Sequence, residues 1–503
     1  MPIRIIRRTI KYAVVIVLAI ALTFLVIRVF DSQRGPALAP WHIYVPTEMT
    51  PDQLDRANWE AYLAHEDRLF QEVTEQVTQT LDRDEQVALN RYFVGSPVYP
   101  GRFAHNWNHS YELMPEGEPK GAVVLLHGLT DSPYSMRNVA ELYRQHGFVA
   151  IGLRIPAHGT VPGALTKVRW EDWLAATRLA VREAARFVTP ANGGERLPLH
   201  IVGFSNGGAL TLKYALDTLS DPKLPKADRL VLISPMIGIT AYARFAGLAG
   251  LPAIFPPFAK AAWLGIVPEF NPFKYNSFPV NGARQSYLLT SVLQSQLEQE
   301  ARQRRLSELP PILTFQSVMD FTVSTRAVIS AFYNLLPQND NDLVLFDVNR
   351  TINFGLLLRD ASASAIGQWL PPTPRLYGTT VITNASVQSA KAVAFDTKAG
   401  SMEVTRRDLG MDYPEDVYSL SHVALPFSDS DSLYGRFSTP PYEFGIPLGR
   451  IAARGERGVL ILDLDTLLRL SSNPFYNYMM QRIDDVIPGE REPGPIPGSV
   501  QAR

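Results

Sequence analysis

Leu199-His200-Ile201-Val202-Gly203-Phe204-Ser205-Asn206-Gly207-Gly208-Ala209-Leu210-Thr211-Leu212 joins an apolar run, a Gly-x-Ser-x-Gly pentapeptide and a helix-compatible stretch. An uninterrupted apolar run of this length suits a strand buried on both faces of a parallel sheet. A sharp strand-to-helix turn lifts the Ser205 hydroxyl clear of the sheet, and Gly203 and Gly207 relieve the crowding such a turn creates. The pentapeptide alone is weak, because Gly and Ser are common; its place between a strand and a helix gives it weight. The plain alternative is a structural loop between strand and helix.

The alternation continues on both sides. Residues 122–126 are apolar and end at His127-Gly128. A helical pattern follows over 135–146, then a strand over 149–153. Trp170, Trp173, Thr177, Val181, Ala184 and Val188 recur at helical spacing. After the elbow come a helix over 207–219 and a strand over 230–234. Strand 312–316, a helix near 325–336 and strand 343–347 resume the series. Strands alternating with helices predict a doubly wound, mostly parallel α/β sheet. Its core occupies 116–236 and 309–350, with a last part over 419–487.

Two stretches interrupt the alternation. Residues 237–308 are rich in Phe, Pro, Leu and Ala and end in a polar helical segment from 291, the pattern of a helical cap. Phe245, Leu248, Phe255, Phe258, Trp263, Phe270 and Phe273 there are either an acyl-chain site or the cap's own packing. Residues 351–418 hold short strands over 379–382, 392–395 and 402–404, a small β-rich insertion. The tail over 488–503 is Pro/Gly-rich and is expected to be disordered.

Arg4, Arg7, Arg8 and Lys11 precede an apolar run over 12–27 that extends past Arg28 to Phe30. At about 1.5 Å per helical residue it nearly spans a hydrocarbon core of about 30 Å. The basic cluster stays cytoplasmic, so the rest of the chain is expected outside the cytoplasm. With no eukaryotic targeting signal legible, the expected membrane is a bacterial inner membrane with the catalytic part facing the periplasm. A cleaved signal peptide competes, but its apolar region would be unusually long, and the Ala37-Leu38-Ala39 candidate site runs into Pro40. Residues 31–115 then form an exposed linker to about residue 50, followed by a helical region that starts at Thr50-Pro51. That region is either a stalk or a layer on the core.

The 503 residues are 46% hydrophobic and 19% charged, which fits a cored protein with insertions. A formal net charge of -1 gives no basic excess for nucleic acid. Cysteine is absent, which removes disulfides, thiolate metal sites and a cysteine nucleophile together.

With this elbow, the partners of the serine follow in the order acid, then histidine. Of nine histidines only His422 lies after Ser205. Asp320 ends a strand-and-loop run, where side chains converge on the site of an open sheet. Asp347 also follows a strand and is the alternative acid. The Asn206 amide, next to the serine, and the Leu129 amide, in the turn after strand 122–126, are the expected oxyanion donors. His127 is read as holding that turn, and His158 and Gly159 as shaping another. His105 and His109 have metal-ligand spacing but no acidic residue between them. Asp429-Ser430-Asp431 lacks the glycine and closing glutamate of a calcium loop and reads as a polar turn.

His127-Gly128-Leu129-Thr130-Asp131-Ser132-Pro133, the Gly203 to Gly207 elbow, Asp320 and His422 together resemble the α/β-hydrolases. The nearest look is that of carboxylesterases, monoacylglycerol lipases and lysophospholipases, over 116–350 and 419–480. The resemblance implies Ser205 as nucleophile, Asp320 as acid, His422 as base, water as final acceptor and no cofactor. One departure stands out: the acid and the histidine usually lie much closer in sequence, and the 351–418 insertion accounts for the gap. The expectation is therefore a membrane-anchored serine hydrolase of carboxylic esters, with lipid or lysolipid esters the class the anchor favours. An amide, thioester or peptide hydrolase on the same residues is one alternative. A non-catalytic membrane-tethered interaction module is the other.

Overall fold

A computed structural model describes residues 2–189, 194–238, 250–320, 322–351, 366–451 and 469–499. The strands are β1 (Tyr111–Leu113), β2 (Gly121–Leu126), β3 (Phe148–Leu153), β4 (Leu199–Phe204), β5 (Arg229–Ile233), β6 (Trp263–Gly265), β7 (Phe278–Pro279), β8 (Ile312–Ser317), β9 (Asp342–Phe346), β10 (Gly378–Ser386), β11 (Ser389–Thr397) and β12 (Thr405–Asp412). Ten of them form one sheet in the order β1-β3-β2-β4-β5-β8-β9-β10-β11-β12, and β6 and β7 make a separate pair. From β3 through β10 neighbouring strands are parallel; β1, β11 and β12 pair antiparallel at the edges. Every residue of β2, β3, β4 and β8 is buried, which is why these strands read as unbroken apolar runs.

The helices are α1 (Pro2–Gln33), α2 (Pro40–Ile43), α3 (Pro51–Arg56), α4 (Trp59–Gln76), α5 (Arg137–Gln145), α6 (Trp170–Val188), α7 (Asn206–Ser220), α8 (Val280–Arg302), α9 (Thr325–Ser330) and α10 (Tyr476–Asp484). Alternate residues of β2 face opposite cores. Ala122, Val124 and Leu126 meet the side built from α3, α4, α6, α7 and α8. Val123 and Leu125 meet the side built from α5 and α10. The sheet is thus covered on both faces, as a parallel sheet requires.

Four expectations are corrected. The strands of 351–418 do not fold as a small unit of their own: β10 pairs in parallel with β9, and β11 and β12 extend the same sheet. The third of them begins at Thr405, because residues 402–404 make no ladder pairing. The stretch 31–50 is not wholly exposed linker, since Trp41 and His42 are buried and Trp41 stacks on Tyr92 at 5.3 Å. The tail is ordered to 499: the Glu492 amide donates to the Gln145 carbonyl and the Ser430 hydroxyl to that of Gly498. Pro and Gly there impose an extended course along α5 and α10 rather than freedom from it.

The region after Thr50 is a layer on the core, not a stalk: Leu54, Trp59, Tyr62 and Val73 lie in the main apolar cluster. The cap helix α8 starts eleven residues ahead of the expected 291, for its first turns are anchored by polar contacts that periodicity does not register. The Asn281 amide group donates to the carbonyls of Leu165 and Val168. Phe245 and Leu248 lie outside the described residues. In α1, Arg8–Ile27 is long and apolar enough to cross a membrane, a test that a signal sequence passes equally well.

Candidate active site

β4 ends at Phe204 and α7 starts at Asn206, so Ser205 alone makes the turn. Its backbone sits at φ 54°, ψ -112°, a conformation strained for a residue with a side chain. The chain is held there from several directions. The Ser205 amide donates to the Ile233 carbonyl at 2.9 Å, and the Ser205 carbonyl accepts from Met236 and Ala209. A Cβ at Gly207 would collide with the Leu126 carbonyl, and one at Gly203 with Gly207 and Thr211. The two glycines of the pentapeptide are therefore a packing requirement of the turn.

His422 opens a short 3₁₀ turn and reaches Ser205 from 217 residues further along the chain. Its Nε2 is 2.8 Å from Ser205 Oγ, and its Nδ1 is 2.8 Å from Asp320 Oδ2. The ring stacks on Phe204 at 5.4 Å. The loop that carries it is tied to the sheet, with the Ser317 hydroxyl donating to the Leu420 carbonyl at 2.8 Å. Ser205 itself is 6% exposed.

Asp320 lies just past β8 with its side chain fully buried. Oδ1 accepts from the amides of Thr322 and Val323 at 2.8 and 2.9 Å, while Oδ2 accepts from His422 and from the Gln316 amide group. Burial pushes the carboxyl pKa up; His422 and the two amides outweigh it and leave the group below the ordinary value. Asp320 is thus held ionised beside Nδ1, which leaves the Nε2 lone pair for the Ser205 hydroxyl. The alternative acid, Asp347, is engaged elsewhere: it forms a 2.8 Å ion pair with Arg350 and accepts from Thr383.

The turn after β2 lies against the elbow, for a Cβ on Gly128 would stand 3.3 Å from the Ser205 Cβ. Among the described residues neither the Leu129 nor the Asn206 amide donates to an internal acceptor. His127 holds this turn from inside. Its Nδ1 donates to the Gly128 carbonyl at 2.8 Å and its Nε2 accepts from the Ile155 amide at 3.1 Å. Burial next to His158 keeps His127 well below its ordinary pKa, so it stays neutral and can do both.

A cavity of about 670 Å³ opens beside Phe204, Ser421 and Val423, the neighbours of Ser205 and His422. Of the cap aromatics singled out in the sequence, Phe270 lines it. Phe273 packs with Tyr134 and Phe427, Trp263 meets the His42 ring edge-on, and Phe255 is 62% exposed. Phe273 and Trp263 thus pack against other side chains rather than line the cavity. Asp431, read from the sequence only as part of a polar turn, accepts from Tyr134 and Arg137 and ties the turn to those residues. The Asp-Ser-Asp spacing was its one signal. His105 and His109 join no group of three metal-ligating side chains among the described residues; His109 stacks on Phe70 instead.

Residues 117–348 match the family model described as serine aminopeptidase, S33. A thermostable monoacylglycerol lipase from Bacillus sp. (strain H-257) is 34% identical over 105 residues, which are 20% of this chain and 36% of that protein. The alignment thus spans about a third of that relative's length. Among solved structures, one from work on the metagenome-derived lipolytic enzymes LipS and LipT is 22% identical with a TM-score of 0.37, covering 48% of this chain and 88% of the other. A soluble variant of monoglyceride lipase from Saccharomyces cerevisiae is 16% identical with a TM-score of 0.35, covering 47% and 81%.

Proposed function

We propose that this chain, with its α/β-hydrolase core, is a serine hydrolase of carboxylic esters held at a membrane by α1. The observation that carries the reading is the continuous hydrogen-bonded line from Ser205 through His422 to Asp320, set on a strained elbow. The family match and the lipase relative agree with a hydrolase, and the relative favours esters.

The reaction has two halves. The Ser205 oxygen attacks the ester carbonyl as its proton passes to His422 Nε2. The Asn206 and Leu129 amides stabilise the oxyanion, and Asp320 stabilises the imidazolium. Collapse breaks the bond to the alcohol, which leaves with the proton from His422, and an acyl-Ser205 remains. Water then attacks the acyl carbon, giving its proton to His422. The carboxylic acid leaves as Ser205 recovers its proton. No cofactor enters.

Hydrolysis of p-nitrophenyl esters from acetate to palmitate by residues 34–503, beside Ser205→Ala, tests the reading. Activity lost in the variant, with a fluorophosphonate labelling Ser205 in the parent, supports it. A folded protein that cleaves no ester and takes no label ends it. The description of the matched family favours a second reading, peptide cleavage. Aminoacyl p-nitroanilides in the same assay separate the two.

A further inference from the structure

The cavity beside Ser205 is not the apolar slot that a simple acyl chain needs. Its lining includes Asp131, Lys274 and Arg469 as well as Phe270 and Phe427. Lys274 is held next to the turn that carries Leu129, because the adjacent Tyr275 amide donates to the Thr130 carbonyl at 2.8 Å. On its other side Phe273 is fixed in the Tyr134 cluster. The lysine backbone therefore has little freedom, and its side chain runs into the cavity wall. Among the described residues its ammonium makes no hydrogen bond and no ion pair within 4.0 Å, whereas the cavity's Arg436 is paired with Asp429 and Asp416. Asp131 Oδ2 is likewise buried with no hydrogen-bond partner.

Lys274 is half-buried, and an ammonium that faces a cavity without a close counter-charge is a natural partner for a ligand anion. Burial drives Lys274 down to about 8 in spite of the attraction of Asp131. Asp131 is too far to form a contact pair, and Arg469 adds a second positive group on the same wall. Of the lining cations, Arg436 is paired with Asp429 and Asp416 and Arg469 donates to the Thr322 hydroxyl, which leaves Lys274 as the one without a contact partner among the described residues.

We propose that Lys274, with Arg469, forms an anion-reading subsite of the ester pocket. The substrate would then be an ester that also bears a carboxylate or a phosphate group. The inference rests on the ester-hydrolase reading above. The anion accepts charge-assisted hydrogen bonds from the ammonium, and its seating fixes the ester carbonyl near Ser205.

Two matched substrate pairs test it. Mono-4-nitrophenyl glutarate and 4-nitrophenyl pentanoate share an acyl length and differ in a terminal carboxylate. A 1-acylglycerol 3-phosphate and the corresponding monoacylglycerol differ in a phosphate. The measure is the anionic-to-neutral ratio of kcat/KM in the parent, in Lys274→Met and in Lys274→Arg, each checked for folding by thermal unfolding. The expected result is a ratio that falls roughly ten- to hundredfold in Lys274→Met and is kept in Lys274→Arg. The pair with the larger fall identifies the anion. A neutral ester cleaved well, with a ratio equal in parent and Lys274→Met, overturns the subsite and leaves the esterase reading intact. If no ester is cleaved, the esterase reading fails, and calorimetric binding of dodecyl phosphate decides the subsite. Equal affinity in parent and Lys274→Met overturns it; an affinity lost with the lysine upholds it.

Discussion

Ser205 Oγ and His422 Nε2 lie 2.8 Å apart across 217 residues of sequence, and the β10-β11-β12 extension of the sheet intervenes between the acid and the histidine. The pairing works because Asp320 presents an ionised carboxylate to the far side of the ring. Asp320→Asn keeps the shape and removes that charge. It would lower kcat for ester hydrolysis by about 10⁴, since the imidazole loses the tautomer that accepts from serine. Steady-state kinetics on 4-nitrophenyl butyrate read this directly. A variant within tenfold of the parent would mean that another group orients His422.

Gly207 is pressed against the Leu126 carbonyl, so the second prediction concerns space rather than charge. Gly207→Ala has to push the elbow off β2, at a cost of about 1–3 kcal/mol or more. The expected result is a lower melting temperature together with slower fluorophosphonate labelling. Gly208→Ala meets the side of Pro235 at 2.8 Å and would show the same effect more mildly. Parent-like stability in Gly207→Ala would refute the close-packed elbow.

The elements that sequence reading placed well are those where one requirement dominates. β2, β4 and β8 are buried on both faces, so burial writes itself as an apolar run. His422 was legible by chain order alone. The misreadings arise where two requirements compete. β12 is mostly exposed, with Arg406, Arg407 and Asp408 in its ladder, so no apolar run announces it. Trp41 belongs to a segment whose prolines suggested a linker, although its partner Tyr92 lies far along the chain. Lys274 left no pattern at all, and Asp131 was legible only as part of its turn, because a cavity wall is assembled from distant loops.

Buried histidines set the third prediction. Burial lowers His42 and His158 to about 4 and His200 to about 3, and holds His127 lower still than its ordinary range. The unfolded chain takes up these protons near pH 6.5, while the folded chain refuses them until about pH 4. The stability these histidines contribute is therefore complete above pH 6.5 and falls on acidification, by about 1.4 kcal/mol per pH unit for each of them. Asp320, held below its ordinary value, adds a further loss only below about pH 4. Melting temperatures of Ser205→Ala between pH 8 and pH 5 measure this without catalysis. A flat profile from pH 7 to pH 5 would contradict it.

The last prediction concerns the segment between α1 and the core. Glu48 accepts from Arg154 Nη1 and Nη2 at 2.8 and 3.0 Å and from the Ala157 amide at 2.7 Å. Ala157 sits at φ 69°, so this contact holds a strained turn. The same turn supplies the Ile155 amide that fixes His127, and His127 fixes the turn bearing Leu129. A chain beginning at residue 34 keeps all of these contacts and should fold and turn over esters in solution. A chain beginning at residue 51 lacks Trp41, His42 and Glu48 and leaves the buried Arg154 with Glu66 as its one ion-pair partner among the described residues. Breaking a buried pair in this way costs about 3–5 kcal/mol. Within the longer chain, Glu48→Gln should lower kcat more than it raises KM, because it loosens the turn that carries the proposed oxyanion donor Leu129 without touching the cavity. The fall should be smaller than the about 10²–10³ of losing a donor outright. Two truncations of equal stability, or a Glu48→Gln effect confined to KM, would show that the segment is only a tether.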